Sequence, residues 1–114
     1  MSYKILDCTL RDGGYYTDWK FNTKLVRQLV KSLDNNGVDI IELGYKSPIK
    51  GGPYRKCNDG FISSVVDFKI SADLAFMIDV KDYIIENKVN QPLLEDIIKP
   101  SSVFKICRVA AKYN

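Results

Sequence analysis

The chain has 114 residues, of which 46% are hydrophobic and 27% are charged, and its formal net charge is +3. This length allows one domain at most, and the composition is that of a folded protein rather than an intrinsically disordered one. The lysines and arginines are scattered along the chain. A nucleic-acid-binding surface needs them clustered, so we expect no nucleic-acid partner.

The cysteines and the hydropathy pattern indicate where the protein works. Cys8, Cys57 and Cys107 are an odd number without paired spacing, which favours reduced thiols over disulfides. No apolar run is long enough to span a bilayer, and the first residues lack the pattern of a secretory signal. We therefore expect a cytoplasmic protein without a membrane partner.

The first predicted strand covers residues 3–8 and leads to a polar, glycine-rich turn. Gly13 and Gly14 are expected to break any regular structure, so Arg11 and Asp12 would lie at the C-terminal end of this strand. Open α/β sheets and α/β barrels bind their ligands at that end of their strands.

An amphipathic helix is predicted over residues 22–36, because leucines and valines recur there at helical spacing. Asn22 is its expected N-cap, and Gly37 is its expected C-terminal stop. A second strand over residues 38–44 completes a right-handed βαβ unit with parallel strands.

The second half of the chain continues the alternation of helices and strands. The predicted elements are a long loop over 45–59, a short helix over 60–70, a buried strand over 72–80, a weak helical stretch over 81–99 interrupted by Pro92, and a fourth strand over 103–110. Four strands alternating with helices indicate an α/β protein. Two folds fit, a doubly wound open sheet and the first half of a (β/α)₈ barrel, and the pattern alone does not separate them.

Three charged residues are expected to converge at one end of the predicted sheet. Glu42 comes thirty positions after Asp12, at the end of the neighbouring parallel strand. Adjacent strand ends lie about 5 Å apart, so the Glu42 carboxylate can reach the Arg11 guanidinium and fix its orientation. A purely structural ion-pair network is the alternative interpretation.

The motif around these residues resembles that of a known enzyme family. D-x-T-L-R-D-G over residues 7–13 resembles the signature of metal-dependent lyases and synthases such as hydroxymethylglutaryl-CoA lyase, isopropylmalate synthase and 4-hydroxy-2-oxovalerate aldolase. The longer run T-L-R-D-G-G-Y-Y-T-D-W-K-F is most similar to an aldolase-like subgroup. The resemblance implies that residues 1–114 are part of a catalytic domain, namely a truncated (β/α)₈ barrel with about four parallel strands.

The same resemblance implies a role for each of the three charged residues. Asp12 would be a ligand of a divalent metal (Mg²⁺ or Mn²⁺, or Zn²⁺), Arg11 would stabilise an enolate oxygen, and Glu42 would orient Arg11. The implied reaction cleaves or forms a carbon–carbon bond in a small-molecule substrate, either a 2-oxo acid such as pyruvate or an acyl-CoA type of compound.

The sequence departs from the family pattern in its lack of histidine. The family completes its metal site with an H-x-H pair, so ligands from outside this chain would have to complete it here. The aldolase branch also carries a basic histidine after R-D-G, where this chain has Gly14-Tyr15-Tyr16. Either tyrosine could relay a proton or simply pack over the barrel mouth.

Four further basic residues are weaker candidates for ligand contacts. Lys46 and Lys56 flank the long loop and could meet a substrate carboxylate, although solvated lysines are commoner there. Arg108 either faces the same opening as Arg11 or is structural. Lys105 could form a Schiff base, but nothing in the sequence lowers its pKa.

A complete barrel needs roughly 250 residues, so the first and fourth predicted strands should both be sheet edges. Three interpretations are consistent with this length: the chain is a fragment of a longer protein, a second copy of the chain closes the sheet, or a separate chain supplies the other half of the barrel. The alternative to an incomplete lyase is thus a catalytically silent half-barrel that acts as a self-associating or complementing subunit.

Overall fold

The structure is a computed structural model that describes residues 3–111, and it has an α/β fold built on one parallel sheet. The sheet has four strands in the order β1-β2-β3-β6, and a separate two-stranded hairpin pairs β4 with β5. The elements are β1 (Leu6–Asp7), α1 (Thr9–Thr17), α2 (Thr23–Asn35), β2 (Ile40–Tyr45), α3 (Pro53–Lys56), α4 (Asp59–Val65), β3 (Asp73–Asp79), a 3₁₀ turn (Val80–Tyr83), β4 (Ile84–Ile85), β5 (Lys88–Val89), α5 (Gln91–Ile98) and β6 (Phe104–Ala110).

The prediction of an α/β half-barrel with four parallel strands is confirmed. Every pairing in the main sheet is parallel. Its core consists of alternate strand residues that pack with helical residues, including Ile41, Leu43 and Phe76 from the strands and Val30 from α2. Glu42 lies between two of these core residues, so it projects from the opposite face of β2.

The amphipathic helix is predicted almost to the residue. The side chain of Asn22 accepts hydrogen bonds from the backbone N–H groups of Lys24 (2.9 Å) and Leu25, as an N-cap does. Gly37 follows the helix with a φ of +81°, a conformation that glycine adopts without strain.

The prediction that Gly13 and Gly14 break regular structure is wrong. β1 contains only two residues, and α1 then runs through both glycines. Asp7 starts this helix by accepting hydrogen bonds from the backbone N–H of Thr9 (3.0 Å) and from its hydroxyl (2.9 Å). Glycine is required at residue 14 because there is no room for a side chain. A Cβ atom there would lie 2.0 Å from the indole nitrogen of Trp19.

The prediction of one weak helix over residues 81–99 is also wrong in part. The segment forms the 3₁₀ turn, the β4-β5 hairpin and then α5. Pro92 lies in the first turn of α5, where its missing N–H costs nothing, so it does not interrupt the helix. Glu86 and Asn87 form the hairpin turn with φ values of 51° and 63°.

The long loop over residues 45–59 contains α3, which packs closely on β2. Cys57 follows α3 and is fully buried beneath it, with its thiol donating to the Tyr54 carbonyl over 3.4 Å. The predicted helix over 60–70 is shorter and begins one residue earlier, as α4. All three cysteines have free thiols.

In residues 3–111 the two edges of the main sheet are β1 and β6, as predicted. β6 has seven residues and pairs only with β3 within this range. No helix in the described part of the chain has the length and apolarity that a membrane crossing requires.

Candidate functional site

The site is built around a buried carboxylate on β2. The Glu42 side chain is 0% exposed, and its Oε1 atom accepts a hydrogen bond of 2.8 Å from Nε of Arg11. Its other oxygen, Oε2, accepts a hydrogen bond of 3.0 Å from Nη1 of Arg108. Each carboxylate oxygen therefore has its own guanidinium partner, and the predicted contact between Glu42 and Arg11 is present.

Arg11 reaches Glu42 from α1, which follows the C-terminal end of β1. Burial opposes the charge of Arg11, but its hydrogen bond to Glu42 and the charge of that carboxylate outweigh burial and raise the pKa of the guanidinium. Arg11 therefore remains cationic. Because Nε is bonded to Glu42, the plane of the guanidinium is fixed.

Arg108 comes from β6, two strands away from Glu42, where it pairs in register with Met77 of β3. From the sequence, Arg108 could either face the same opening as Arg11 or have a structural role. In the structure it contacts the same carboxylate as Arg11. Its side chain is 39% exposed, whereas that of Arg11 is 15% exposed. Arg108 is thus the more accessible of the two guanidiniums.

Asp12 lies beside this cluster and is exposed to solvent. Its side chain is 68% exposed, and its Oδ1 atom is 3.7 Å from Nη1 of Arg11. Among residues 3–111, no group of three or more His, Cys, Asp or Glu side chains could hold a metal ion. A divalent cation needs several ligands, so Asp12 alone does not fit a metal site.

An aromatic group lies against Arg11. The hydroxyl groups of Tyr15 and Tyr45 are hydrogen-bonded to each other, and the Trp19 ring packs edge-on against both, with centroids 4.6 and 5.8 Å away. The Trp19 indole N–H donates to the backbone carbonyl of Arg11 over 3.1 Å. Burial and the hydrogen bond to Tyr15 raise the pKa of Tyr45. Tyr16, in contrast, is 90% exposed.

The three lysines considered from the sequence lie elsewhere. Lys46 is largely buried, with Nζ 2.9 Å from Asp59, and Nζ of Lys56 donates to a backbone carbonyl. Both line a separate cavity of about 480 Å³. The expectation that these lysines are solvated is wrong for Lys46, whereas Lys56 is exposed as expected. Lys105 is 75% exposed and pairs with Asp73 at the start of β3, far along the sheet from Arg11.

Among curated proteins, the chain is similar to 4-hydroxy-2-oxovalerate aldolases. It is 35% identical over 74 residues to aldolase 6 of Rhodococcus jostii, and the aligned region covers 63% of this chain and 20% of the relative. It is 29% identical over 119 residues to aldolase 1 of Rhodococcus erythropolis, which covers 94% of this chain and 30% of the relative. The chain thus spans less than a third of the length of these relatives.

A solved structure supports the same conclusion. The N-terminal domain of a proposed aldolase from Bacteroides vulgatus superposes with a TM-score of 0.70 at 30% identity, covering 94% of this chain and 35% of that one. No protein-family model matches the chain. Both the sequence and the fold therefore correspond to the N-terminal region of a longer chain.

Proposed function

We propose that this chain, the N-terminal part of an aldolase-like barrel, supplies the enolate-stabilising residues of a carbon–carbon lyase acting on a 2-oxo acid or an acyl-CoA type of substrate. The observation that carries the proposal is the fully buried Glu42, which holds Arg11 through Nε at 2.8 Å. The similarity to 4-hydroxy-2-oxovalerate aldolases supports the reaction class.

In this proposal Arg11 meets the negative charge that develops on the substrate. Cleavage next to a carbonyl leaves an electron pair that delocalises onto the carbonyl oxygen and forms an enolate. A guanidinium already fixed by Glu42 needs no reorganisation as that charge appears. Removing a donor of this kind typically costs about 10²–10³-fold in rate.

A divalent cation would polarise the same carbonyl, and the family resemblance implies that Asp12 is one of its ligands. The described residues do not complete such a site, so this assignment requires further ligands from outside the chain. The roles proposed for Arg11 and Glu42 depend on hydrogen bonding and charge alone.

The test is the exchange of the methyl protons of pyruvate for deuterium, which reports enolate formation without a complete aldol reaction. We expect the chain to accelerate this exchange in imidazole-buffered D₂O, where the buffer base removes the methyl proton and Arg11 stabilises the resulting enolate, as followed by ¹H NMR. Arg11→Lys should reduce the acceleration about 100-fold because the fixed fork is lost. Arg27→Lys is the control. Arg27 pairs with Asp67 at the surface of α2, away from Glu42.

Either of two results would contradict the proposal. The first is no exchange above that of buffer, and the second is an equal loss in the Arg11 and Arg27 variants. Circular dichroism of each variant shows whether it is folded.

The second candidate function is a self-associating or complementing subunit, and the outer edge of β6 favours it. This edge has no strand partner within residues 3–111, and Val109 on β6 is 62% exposed. An unpaired strand with apolar side chains offers backbone hydrogen bonds to another chain.

For this second function we expect Val109→Lys to weaken self-association at least tenfold, because a lysine at the edge opposes strand pairing. Sedimentation equilibrium measures the dissociation constant. Leu25→Lys is the control, since Leu25 is similarly exposed (56%) but lies on α2. A chain that stays monomeric at every concentration, or one that both substitutions affect equally, argues against self-association.

A further inference from the structure

We infer that the cavity beside Lys46 and Lys56 is a second ligand site, which takes a small molecule with one carboxylate and an apolar body. The cavity holds about 480 Å³, and its walls come from the β2-α3 loop, the end of α3, the start of α4, α5 and the loop before β6. Ligand-binding pockets in proteins typically have volumes of about 300–1,000 Å³. The cavity therefore has the size of a ligand site.

This cavity is separate from the cluster around Glu42. Nζ of Lys46 lies 4.9 Å from the ring centroid of Phe76 and 5.1 Å from that of Phe104, and both rings belong to the hydrophobic core. Glu42 projects from the opposite face of β2, and the cavity lining includes neither Arg11 nor Arg108. A ligand in the cavity would thus lie across the sheet from the proposed lyase residues.

The charges of the lining leave one ammonium group without a counter-charge. Oδ1 of Asp59 is 2.9 Å from Nζ of Lys46, and Oδ1 of Asp96 is 3.1 Å from Nζ of Lys99. Lys56 has no carboxylate partner among residues 3–111, and its Nζ donates to a backbone carbonyl over 3.0 Å. An ammonium has three N–H groups, so Lys56 retains donors for an anion. A single surplus ammonium matches a monoanion.

Apolar side chains form another part of the lining. Leu93 and Ile97 come from α5, and Pro48 and Pro100 come from the two adjoining loops. Leu93 and Ile97 also pack against the hydrophobic core, which fixes their positions. Apolar surface that leaves water on binding stabilises a complex. A carboxylate with an aliphatic body would gain this contribution, whereas acetate would not.

The same lining disfavours ions with more than one negative charge. Asp59 and Asp96 both border the cavity. Burial opposes the ionised form of Asp59, but hydrogen bonds from Ser101 and Lys46 outweigh burial and lower its pKa, so it is an anion at neutral pH. Phosphate would be repelled by these carboxylates and would find only one surplus ammonium. The cavity therefore favours a monocarboxylate over phosphate.

Hydrogen bonds hold the walls of the cavity in place. Oγ of Ser101 donates to Oδ2 of Asp59 over 2.6 Å and accepts from the backbone N–H groups of Val103 and Phe104. These bonds fix the start of α4 against the loop before β6. The hydrogen bond of Lys56 fixes the end of α3 against the β2-α3 loop in the same way. A site that is ordered before binding loses little conformational entropy when the ligand enters.

The test compares hexanoate with hexanamide, which has the same chain length but no charge. A ¹H–¹⁵N NMR titration measures binding through the shifts of backbone amides that line the cavity. We expect hexanoate to bind at least about tenfold more tightly than hexanamide, acetate or inorganic phosphate, because a hydrogen bond to a charged group and the aliphatic chain both contribute. Lys56→Met should remove the preference over hexanamide, and Lys56→Arg should retain part of it because the charge remains.

Lys69→Met is the matched control, since it also removes one positive charge. Lys69 is exposed, lies between α4 and β3, and does not line the cavity. Its hexanoate affinity should equal that of the unmodified chain, and the NMR spectrum shows whether each variant is folded.

Four results would overturn the inference. They are equal binding of hexanoate and hexanamide, no saturable binding at the cavity amides, tighter binding of phosphate than of hexanoate, and equal losses in the Lys56→Met and Lys69→Met variants. The measurement involves neither Arg11 nor pyruvate, so failure of the proposed lyase function would leave this site intact.

Discussion

Replacing Glu42 by glutamine is expected to lower the free energy of unfolding by about 3 kcal/mol, the lower end of the range for breaking a buried charge pair. The carboxylate is fully buried and has a guanidinium on each oxygen. Glutamine leaves Arg108 without its counter-charge and Arg11 with only the exposed Asp12, and it turns one acceptor into a donor that faces a donor. Because Arg108 is partly exposed, water offsets part of the loss. Urea denaturation followed by circular dichroism measures the change.

Asp12→Asn is the control for this prediction. Asp12 also contacts Arg11, but at 3.7 Å and with 68% of its side chain exposed. An exposed pair of this kind contributes about 0–1 kcal/mol. Equal losses in the two variants would show that Glu42 is not the structural centre of the cluster.

A triple variant separates stability from chemistry. Glu42→Leu combined with Arg11→Met and Arg108→Met replaces the charges with apolar groups of comparable size, and such replacements are often neutral for stability. We expect this variant to be nearly as stable as the unmodified chain but unable to accelerate the exchange of the methyl protons of pyruvate. That outcome would mean that the charges are retained for function.

Gly44→Ala is expected to cost at least about 3 kcal/mol or to prevent folding. A Cβ atom at residue 44 would lie 2.1 Å from the backbone carbonyl oxygen of Tyr54 and 3.1 Å from Sγ of Cys57. A backbone atom cannot rotate away as a side chain can, so α3 would have to lift from β2. The Tyr54 ring, which packs between Phe21 and Phe61, would move with it.

Gly13→Ala is the matched control, because it makes the same chemical change in a helix. A Cβ atom at residue 13 meets nothing within 4 Å, and Gly13 lies inside α1. Alanine is favoured over glycine in a helix by about 0.5–1 kcal/mol, so this variant should be slightly more stable. Thermal unfolding should give a higher Tm for Gly13→Ala and a lower Tm for Gly44→Ala than for the unmodified chain. A Gly44→Ala protein as stable as the unmodified chain would contradict the close packing of α3 on β2.

Sequence reasoning could predict the features that depend on periodicity and on neighbouring strands. The apolar spacing in residues 22–36 and the cap at Asn22 place α2 almost without error. The contact between Arg11 and Glu42 follows from the parallel pairing of β1 with β2. Both features are local or depend on a single neighbouring strand.

Other features depend on tertiary contacts that no local pattern reveals. In the sequence, Gly13 and Gly14 are typical of a turn. Only the tertiary contact between Trp19 and Gly14 explains why a helix has glycine at residue 14. The contact of Arg108 with Glu42 requires that β6 pairs with the side of β3 opposite to β2. The separation of these residues in sequence does not indicate this arrangement. The β4-β5 hairpin was missed because Glu86-Asn87 lacks the glycine typical of two-residue turns.

The burial of Cys57 beneath α3 has a consequence for measuring motion in this region. Burial raises the pKa of its thiol to about 12, so at neutral pH it is protonated as well as shielded. A thiol reagent can modify it only when α3 detaches from the sheet and exposes the sulfur to water. The rate of alkylation at Cys57 therefore reports how often the segment beside Gly44 opens in the otherwise folded protein.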